Sequence, residues 1–528
     1  MSTPATGRSA LLVAAGILLS RIAGLIRERV FAHYFGNSTA ADAFRAAFRI
    51  PNLLQNLFGE GVLSASFIPV YAQLLAHEDE AEAGRVARAV VTLLTFVVSL
   101  LVLIGILTTP FLIDAIVPGF TGEKRELTIQ LVKILFPGAG LLVFSAWCLG
   151  ILNSHGHFFM SYAAPVLWNA AMIVTLLGFG SRVEPFSLAE TLAWGSVAGS
   201  ALQVGLQLPS VLRLVKPLRL ALNLAGPAVQ TVVRNFVPVF ISRGVVQISA
   251  YVDALLASFL PTGAVAALSY AQALYILPVS LFGMSVSAAE LPIMSSARGN
   301  IQEVAAYLRQ RLDAGLRRVA FFVIPSAMAF LTLGDVIAAA IYQSGRFTYA
   351  DTLYVWGILA GAAVGLLAST LGRLYASAYY ALRDTRTPLY CAVIRIAMGT
   401  GLGYLCAIPL PPALGIEARW GVAGLTLASG LAGWVEFTLL RGTLNRRIGR
   451  TGLPLVVAGK LWSAAVVAAA AAWGVKFSLA LQHPILGAVA TLVPYGLIYL
   501  AITYGAGVSM AQATVGWVKY GAASSEDR

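Results

Sequence analysis

The chain has 528 residues, of which 58% are hydrophobic and only 11% charged, with 36 Lys and Arg against 23 Asp and Glu, and its mean hydropathy is +0.80. A water-soluble domain carries about 25% charged residues. Apolar runs of about 18 residues or more recur along the whole length, so the composition excludes a soluble globular chain and specifies a polytopic all-α membrane protein. In such a protein a basic excess marks cytoplasmic connections rather than nucleic-acid binding.

The hydropathy pattern predicts about fourteen spans, near 10–34, 41–74, 87–113, 127–152, 158–180, 188–212, 229–260, 264–294, 314–334, 351–381, 387–409, 416–441, 453–481 and 484–507. No small-residue cleavage site follows the first apolar run, so the first helix is expected to stay in the protein. Cys148, Cys391 and Cys406 fall inside spans and read as packing residues, with no disulfide framework or metal pattern. With the N-terminus inside, the cytoplasmic connections hold twenty Lys and Arg and the outer ones five. The positive-inside rule then places both termini in the cytoplasm. The stretches 209–222 and 300–318 mix apolar and basic residues at helical spacing, as interfacial helices or helix extensions do. His155 and His157, at i and i+2, suit a short turn better than one metal face.

The first span carries charge where lipid would not tolerate it. In "SRIAGLIRERVFAHYFG" (20–36), at ~100° per residue, Ser20, Arg21, Gly24, Arg27 and Glu28 share one stripe, whereas Arg29 points toward the outer interface. In the second span Asp42, Arg45, Arg49, Asn52, Asn56, Gly59 and Glu60 fall within about 100° of arc. Pro51 is expected to bend that helix and free a carbonyl. A charge at the bilayer centre costs ~2.5–3.5 kcal/mol or more, so the stripes must face each other or water. One reading is a set of ion pairs, Arg with Glu28, Asp42 or Glu60. The other is a cationic cavity for an anionic substrate, since Arg21, Arg27, Arg45 and Arg49 outnumber the acids and Arg matches phosphate with a two-pronged fork.

The seventh and eighth spans echo the first two. "SRGVVQISAYVDALLASFL" (242–260) again begins Ser-Arg, and "SYAQALYILPVSLFGMSVSAAELP" (269–292) repeats the internal proline, Phe-Gly and closing aliphatic-Pro of 42–69. A parallel repeat of six spans follows: an N-lobe at 1–213, a C-lobe at 214–441, two added spans at 442–507 and a cytoplasmic tail at 508–528. Arg243 becomes the repeat partner of Arg21, on the opposing wall, with Asp253 the other buried charge of that lobe. Arg373 and Arg395 read as near-interface cations.

The stretch "SRIAGLIRERVFAHYFG…ADAFRAAFRIPNLL…LFGEGVLSASFIPVYAQ" closely resembles the N-terminal signature of the MurJ (MviN) family of the MOP exporter superfamily. The resemblance is specific over 18–73 and extends by span pattern over nearly the whole chain. It implies a fourteen-span, two-lobed flippase with a central cationic cavity, carrying lipid II (undecaprenyl-pyrophosphate-linked disaccharide-pentapeptide) to the outer leaflet, and a groove in the last two spans for the lipid tail. Arg21 and Arg27 match the family's first-span arginines, and Glu28, Asp42, Arg49 and Glu60 its charged pattern. Gln55 stands where the family commonly has arginine, and "YAQA" (Tyr270 to Ala273) replaces a Tyr-Ala-Asp-Arg. Arg243 is expected to compensate. Asp253 resembles the acid of a sodium site in some members, but that site's polar partners are Gly399 and Gly403 here.

The substrate-binding residues expected are therefore Ser20, Arg21, Arg27, Arg49, Asn52 and Arg243, with Glu28, Asp42, Glu60 and Asp253 in gating or charge-pairing. No catalytic residue, resident metal or cofactor is expected; sodium or proton coupling stays open and membrane potential is the expected drive. Expected partners are lipid II, membrane lipids and the cell-wall synthesis machinery, at a bacterial plasma (inner) membrane. A related exporter of polysaccharide-linked lipid, or a membrane enzyme acting on the same carrier, are the alternatives.

Overall fold

The computed structural model describes residues 4–215, 226–479, 481–514 and 516, with the side chains of 4–14, 60 and 241–250 outside that description. Among the described residues the chain is helical. The helices of its first half are α1 (Pro4–Phe35), α2 (Thr39–Phe58), α3 (Glu60–Ser66), α4 (Ile68–Ala76), α5 (Glu80–Leu107), α6 (Thr109–Ile116), α7 (Gly122–Ser154), α8 (Phe158–Phe179), α9 (Pro185–Leu214) and α10 (Pro227–Ser258). Then come α11 (Ala264–Pro278), a π-helical stretch (Val279–Met284), α12 (Ser285–Ser295), α13 (Ile301–Tyr342), α14 (Tyr349–Ala381), α15 (Arg386–Ala407), α16 (Leu410–Ala413), α17 (Gly421–Ile448), α18 (Leu455–Leu479) and α19 (Pro484–Gly505). Each of the fourteen predicted spans falls on one of these helices or on a consecutive group of them. Among the described residues, ten segments are long and apolar enough to cross a membrane by length and composition.

The structure refines three local expectations. The second span, expected as a single helix, divides into α2, α3 and α4. Helix α2 runs through Pro51 and stops at Gly59, where a Cβ would lie 2.2 Å from the Gln55 carbonyl oxygen. The stretch 300–318 is a helix extension rather than a separate interfacial helix. Its Asn300–Glu303 capping box starts α13, whose 42 residues rise about 63 Å at ~1.5 Å each, twice the hydrocarbon core. Finally, the repeat has a backbone signature. Regular α-helix is interrupted at Phe58-Gly59 in the first copy and turns π-helical through Phe282-Gly283 in the second.

Two compact units divide the chain, Met1–Ala266 with Ser344–Phe347, and Ala267–Gln343 with Thr348–Arg528. This limit falls one span after the repeat limit at 213/214, because α10 packs with α2, α3 and α5. In the first unit α7 packs on α2 and α9, α1 on α8, and a core around Trp147, Phe67 and Tyr71 joins α3, α4, α5 and α7. In the second, α14 and α17 meet through small residues. Gly361 and Gly365 are four apart on one face of α14, and a Cβ on Gly365 would lie 2.3 Å from the Gly430 Cα, the close approach that a small-xxx-small face permits.

The pair α18–α19 docks on α13 through side chains that repair its backbone. Pro325 lacks the N–H that would bind the Phe321 carbonyl. The Tyr499 hydroxyl donates to that carbonyl at 2.7 Å, the Tyr495 hydroxyl to the Pro325 carbonyl at 2.7 Å, and Trp473 Nε1 to the Thr332 carbonyl at 2.9 Å. The sequence shows the proline and the tyrosines; their pairing is a tertiary fact.

Candidate functional site

The charged stripe of α1 is built around Glu28, which is 8% exposed. Arg27 Nη2 donates to Glu28 Oε1 at 2.6 Å, Arg45 Nη1 to the same oxygen at 3.2 Å, and Arg45 Nη2 to Oε2. One carboxylate therefore holds two guanidiniums, one from its own helix and one from α2. Adjacent residues on a helix do not face each other, so the Arg27 side chain reaches its neighbour by folding across the surface of α1. Aromatic rings wall the group in. The Arg27 guanidinium lies 4.7 Å from the Trp168 ring centroid of α8, and that of Arg45 lies 4.2 Å from Phe31. The Phe48 and Trp168 rings are 5.7 Å apart, and Trp168 Nε1 donates to Ser196 Oγ of α9 at 3.2 Å. Two cations on one anion leave a single positive charge in a shielded pocket, where cation–π contacts are stronger than at an exposed surface.

The other expected residues divide into groups. Arg49 lies one turn beyond Arg45 on the same face of α2. It is within electrostatic reach of Asp253 on α10, and its carbonyl accepts from the Tyr251 hydroxyl at 2.8 Å. Asn52 follows one turn later and lines a cleft of about 20 Å³ with Pro51, Gln55, Gly138 and Ser200, room for about one water. Ser20 is half-buried and Arg21 is exposed on α1. Arg29, expected at the interface, is half-buried and engaged. The side chains of Arg243 and Glu60 lie outside the described residues, so the expected opposing-wall pairing of Arg21 and Arg243 does too.

Asp42 sits apart from this cluster. It is fully buried, and its Oδ2 accepts from Lys124 Nζ at 2.6 Å and from the Gly263 amide at 2.7 Å, while Oδ1 accepts from the Ala266 amide at 2.8 Å. It ties the start of α2 to α7 and to the first turn of α11. Charge-assisted bonds of this kind are the strong ones.

Three polar features were missed in the sequence. Arg45 was seen in the stripe, but spacing could not show that it, with Arg27, would hold Glu28. Asn169 of α8, 5% exposed, donates to the Pro165 carbonyl at 3.0 Å while its Oδ1 has no partner among the described residues. That oxygen faces Gly24, whose added Cβ would come within 4.0 Å of it. A lone Asn in an apolar span was the available signal. In the second unit Arg395, read as an interface cation, pairs through Nε with Glu436 Oε2 at 2.9 Å, and Arg373 is exposed on α14. His155 pairs through Nε2 with the Tyr71 hydroxyl at 3.0 Å in the turn between α7 and α8.

Comparison with known proteins places this arrangement. The model of the lipid II flippase MurJ family matches residues 31–497. A protein of Rhizobium tropici described as a probable lipid II flippase MurJ is 32% identical over 443 residues, covering 82% of this chain and 80% of its own. The solved structure of a lipid II flippase MurJ in an inward closed conformation superposes with a TM-score of 0.76 at 24% identity, over 93% of this chain and 98% of the other. An inward-facing multidrug resistance MATE transporter of the MOP superfamily has the related fold, with a TM-score of 0.61 at 17% identity over 80% and 95% of the two chains. A fourteen-span helical chain with a shielded arginine cluster on its first two spans, matched by this family over most of its length, belongs to the lipid II flippase MurJ family.

Proposed function

We propose that this protein is a lipid II flippase, moving the undecaprenyl-pyrophosphate-linked disaccharide-pentapeptide from the inner to the outer leaflet of a bacterial plasma membrane by alternating access. The observation that carries the reading is the Arg27–Glu28–Arg45 cluster, with Arg21 exposed on the same stripe of α1. Glu28 keeps two guanidiniums oriented and close together while no substrate is present. A pyrophosphate brings more negative charge than one carboxylate and competes for both forks. Each hydrogen bond between charged groups contributes about 1.5–3 kcal/mol net, which offsets dehydration of the headgroup, the step that makes unassisted flipping slow. Among the described residues no acid pairs with Arg21, which supplies a further cation, and Arg49 and Asn52 extend the polar track along α2.

Arg49 answers the charge of Asp253, the acid that resembles part of a sodium site in some family members. Membrane potential biases the cycle by about 2.3 kcal/mol per charge per 100 mV. Both termini face the cytoplasm, and the synthesis machinery that makes and consumes lipid II is the expected neighbour. The apolar cavity of about 290 Å³ between α13 and α19, lined by Phe282, Phe321, Tyr495 and Tyr499, is the bed for the lipid tail.

Depletion with complementation tests the function. Cells depleted of their own lipid II flippase should lyse and retain lipid II in the inner leaflet, and this chain should rescue both. Rescue of a polysaccharide-export defect instead would assign it to a related exporter. Arg27→Glu, scored per folded molecule, should fail to rescue; normal growth on that allele alone removes Arg27 from the mechanism.

A further inference from the structure

A second polar cavity lies far along the chain from the arginine cluster, where α13, α18 and α19 meet near the turn joining the last two spans. Its volume is about 250 Å³, and its lining includes Asp335, Gln343, Lys476, Gln482 and Thr491. Asp335 is 4% exposed and sits about two turns before the end of α13. Lys476 Nζ donates to its Oδ2 at 2.5 Å. Asp335 Oδ1 is buried without a hydrogen-bond partner among the described residues. A buried carboxylate oxygen left unpaired is costly, and an ammonium has three N–H donors, of which Asp335 takes one. The site thus offers one vacant anionic acceptor and spare cationic donors, side by side.

The chemistry of an occupant follows. A bare cation would complete Asp335 but meet Lys476, and a bare anion would complete Lys476 but meet Asp335. A group bearing an N–H cation and an anion a few bonds apart satisfies both. The cavity rim is apolar: Leu479 is 53% exposed and Leu481 46%. In a membrane-spanning chain such a rim faces lipid. We infer that this cavity binds the headgroup of a zwitterionic aminophospholipid, its ammonium donating to Asp335 Oδ1 and its phosphate accepting from Lys476, with the acyl chains on the exposed flank of α18 and α19.

Choline and glycerol headgroups separate this from general lipid adhesion, because choline has no N–H to donate and phosphatidylglycerol has no cation. Purified full-length protein in detergent is titrated with phosphatidylethanolamine, phosphatidylcholine and phosphatidylglycerol of identical chains, and bound lipid is counted by native mass spectrometry. The ethanolamine lipid should bind roughly tenfold or more tightly than either other, the ratio that one charge-assisted hydrogen bond supports. Asp335→Asn should erase that preference, and Lys476→Gln should weaken all three lipids together, because the phosphate is common to them. Equal binding of the ethanolamine and choline lipids by the wild-type protein overturns the proposal, and needs no variant to fold. A preference that survives Asp335→Asn overturns it as well. Soluble glycerophosphoethanolamine binding as tightly as the intact lipid would overturn the assignment to a membrane lipid.

Discussion

Replacing Glu28 by glutamine leaves the shape of the cluster nearly unchanged and removes its only negative charge. Arg27 and Arg45 both bond Glu28 Oε1, at 2.6 and 3.2 Å, so their donor nitrogens lie within about 6 Å of each other, and two unit charges at that separation repel by ~3 kcal/mol at an effective dielectric of about 20. Removing one partner of a buried ion pair costs about 3–5 kcal/mol by experience with other proteins. Screening relieves little of this, because the three side chains are only 10–18% exposed. Both routes predict that Glu28→Gln destabilises the fold by about 3 kcal/mol. The assay is thermal unfolding of detergent-purified protein followed by size-exclusion chromatography. The double variant Glu28→Gln/Arg45→Gln restores the single net charge and should recover part of the loss, so the double-mutant cycle should show coupling above about 1 kcal/mol. A Glu28→Gln protein as stable as the parent, or a cycle with no coupling, refutes the claim that Glu28 holds these arginines together.

Two further outcomes follow from local geometry. Gly59→Ala places a Cβ 2.2 Å from the Gln55 carbonyl oxygen; the backbone must move, and the folded yield should fall by an amount equivalent to about 1–3 kcal/mol, while alanine at Gly178, which has nothing within 4 Å, should be neutral. In the turn before α15, amide and hydroxyl bonds from Thr387, joined by Arg447, hold the Asp384 carboxyl below the ordinary aspartate range. A lowered native pKa stabilises the fold above the unfolded value of about 3.9 and loses that effect as pH falls through the native value; Asp384→Asn should therefore destabilise modestly at neutral pH and the difference from the parent should vanish in acid, as read by thermal unfolding across pH.

The spans, the charged stripes and the repeat were legible because bilayer thickness and helical periodicity act locally on the sequence. Helix breaks were less so. Pro51 was the break the second span displayed, but the helix ends instead at Gly59, where the absence of a Cβ permits the close approach to Gln55. Partner choice was not legible at all. The wheel placed Arg21, Arg27 and Arg45 as equals. Which cations reach Glu28 depends on how α1 meets α2 and α8, and on the positions of Phe31 and Trp168. Asp335 and Lys476 were passed over for a similar reason. Each is a single charge near the end of a long apolar helix, and only the docking of α18 on α13 makes them a pair.

Asp42 and Glu28 illustrate how two acids on neighbouring helices can do different work. Glu28 meets two side-chain guanidiniums, for which, under the proposed function, a substrate anion would compete. Asp42 meets two backbone amides and one lysine, with no exposed surface. Backbone donors cannot be recruited by a ligand without unravelling the start of α11, so Asp42 is a fixed staple in this geometry rather than a gate. Asp42→Asn keeps one carbonyl oxygen but turns an amide NH₂ toward donors, and it leaves Lys124, itself 14% exposed, without its counter-charge. The expected cost is about 3–5 kcal/mol, seen as a sharp fall in folded protein. Adding Lys124→Met should recover part of that abundance by removing the stranded charge. The protein that does fold should expose lipid II at the outer leaflet at the parent rate per molecule. Normal abundance with lost exposure would reverse the assignment and make Asp42 part of the gate.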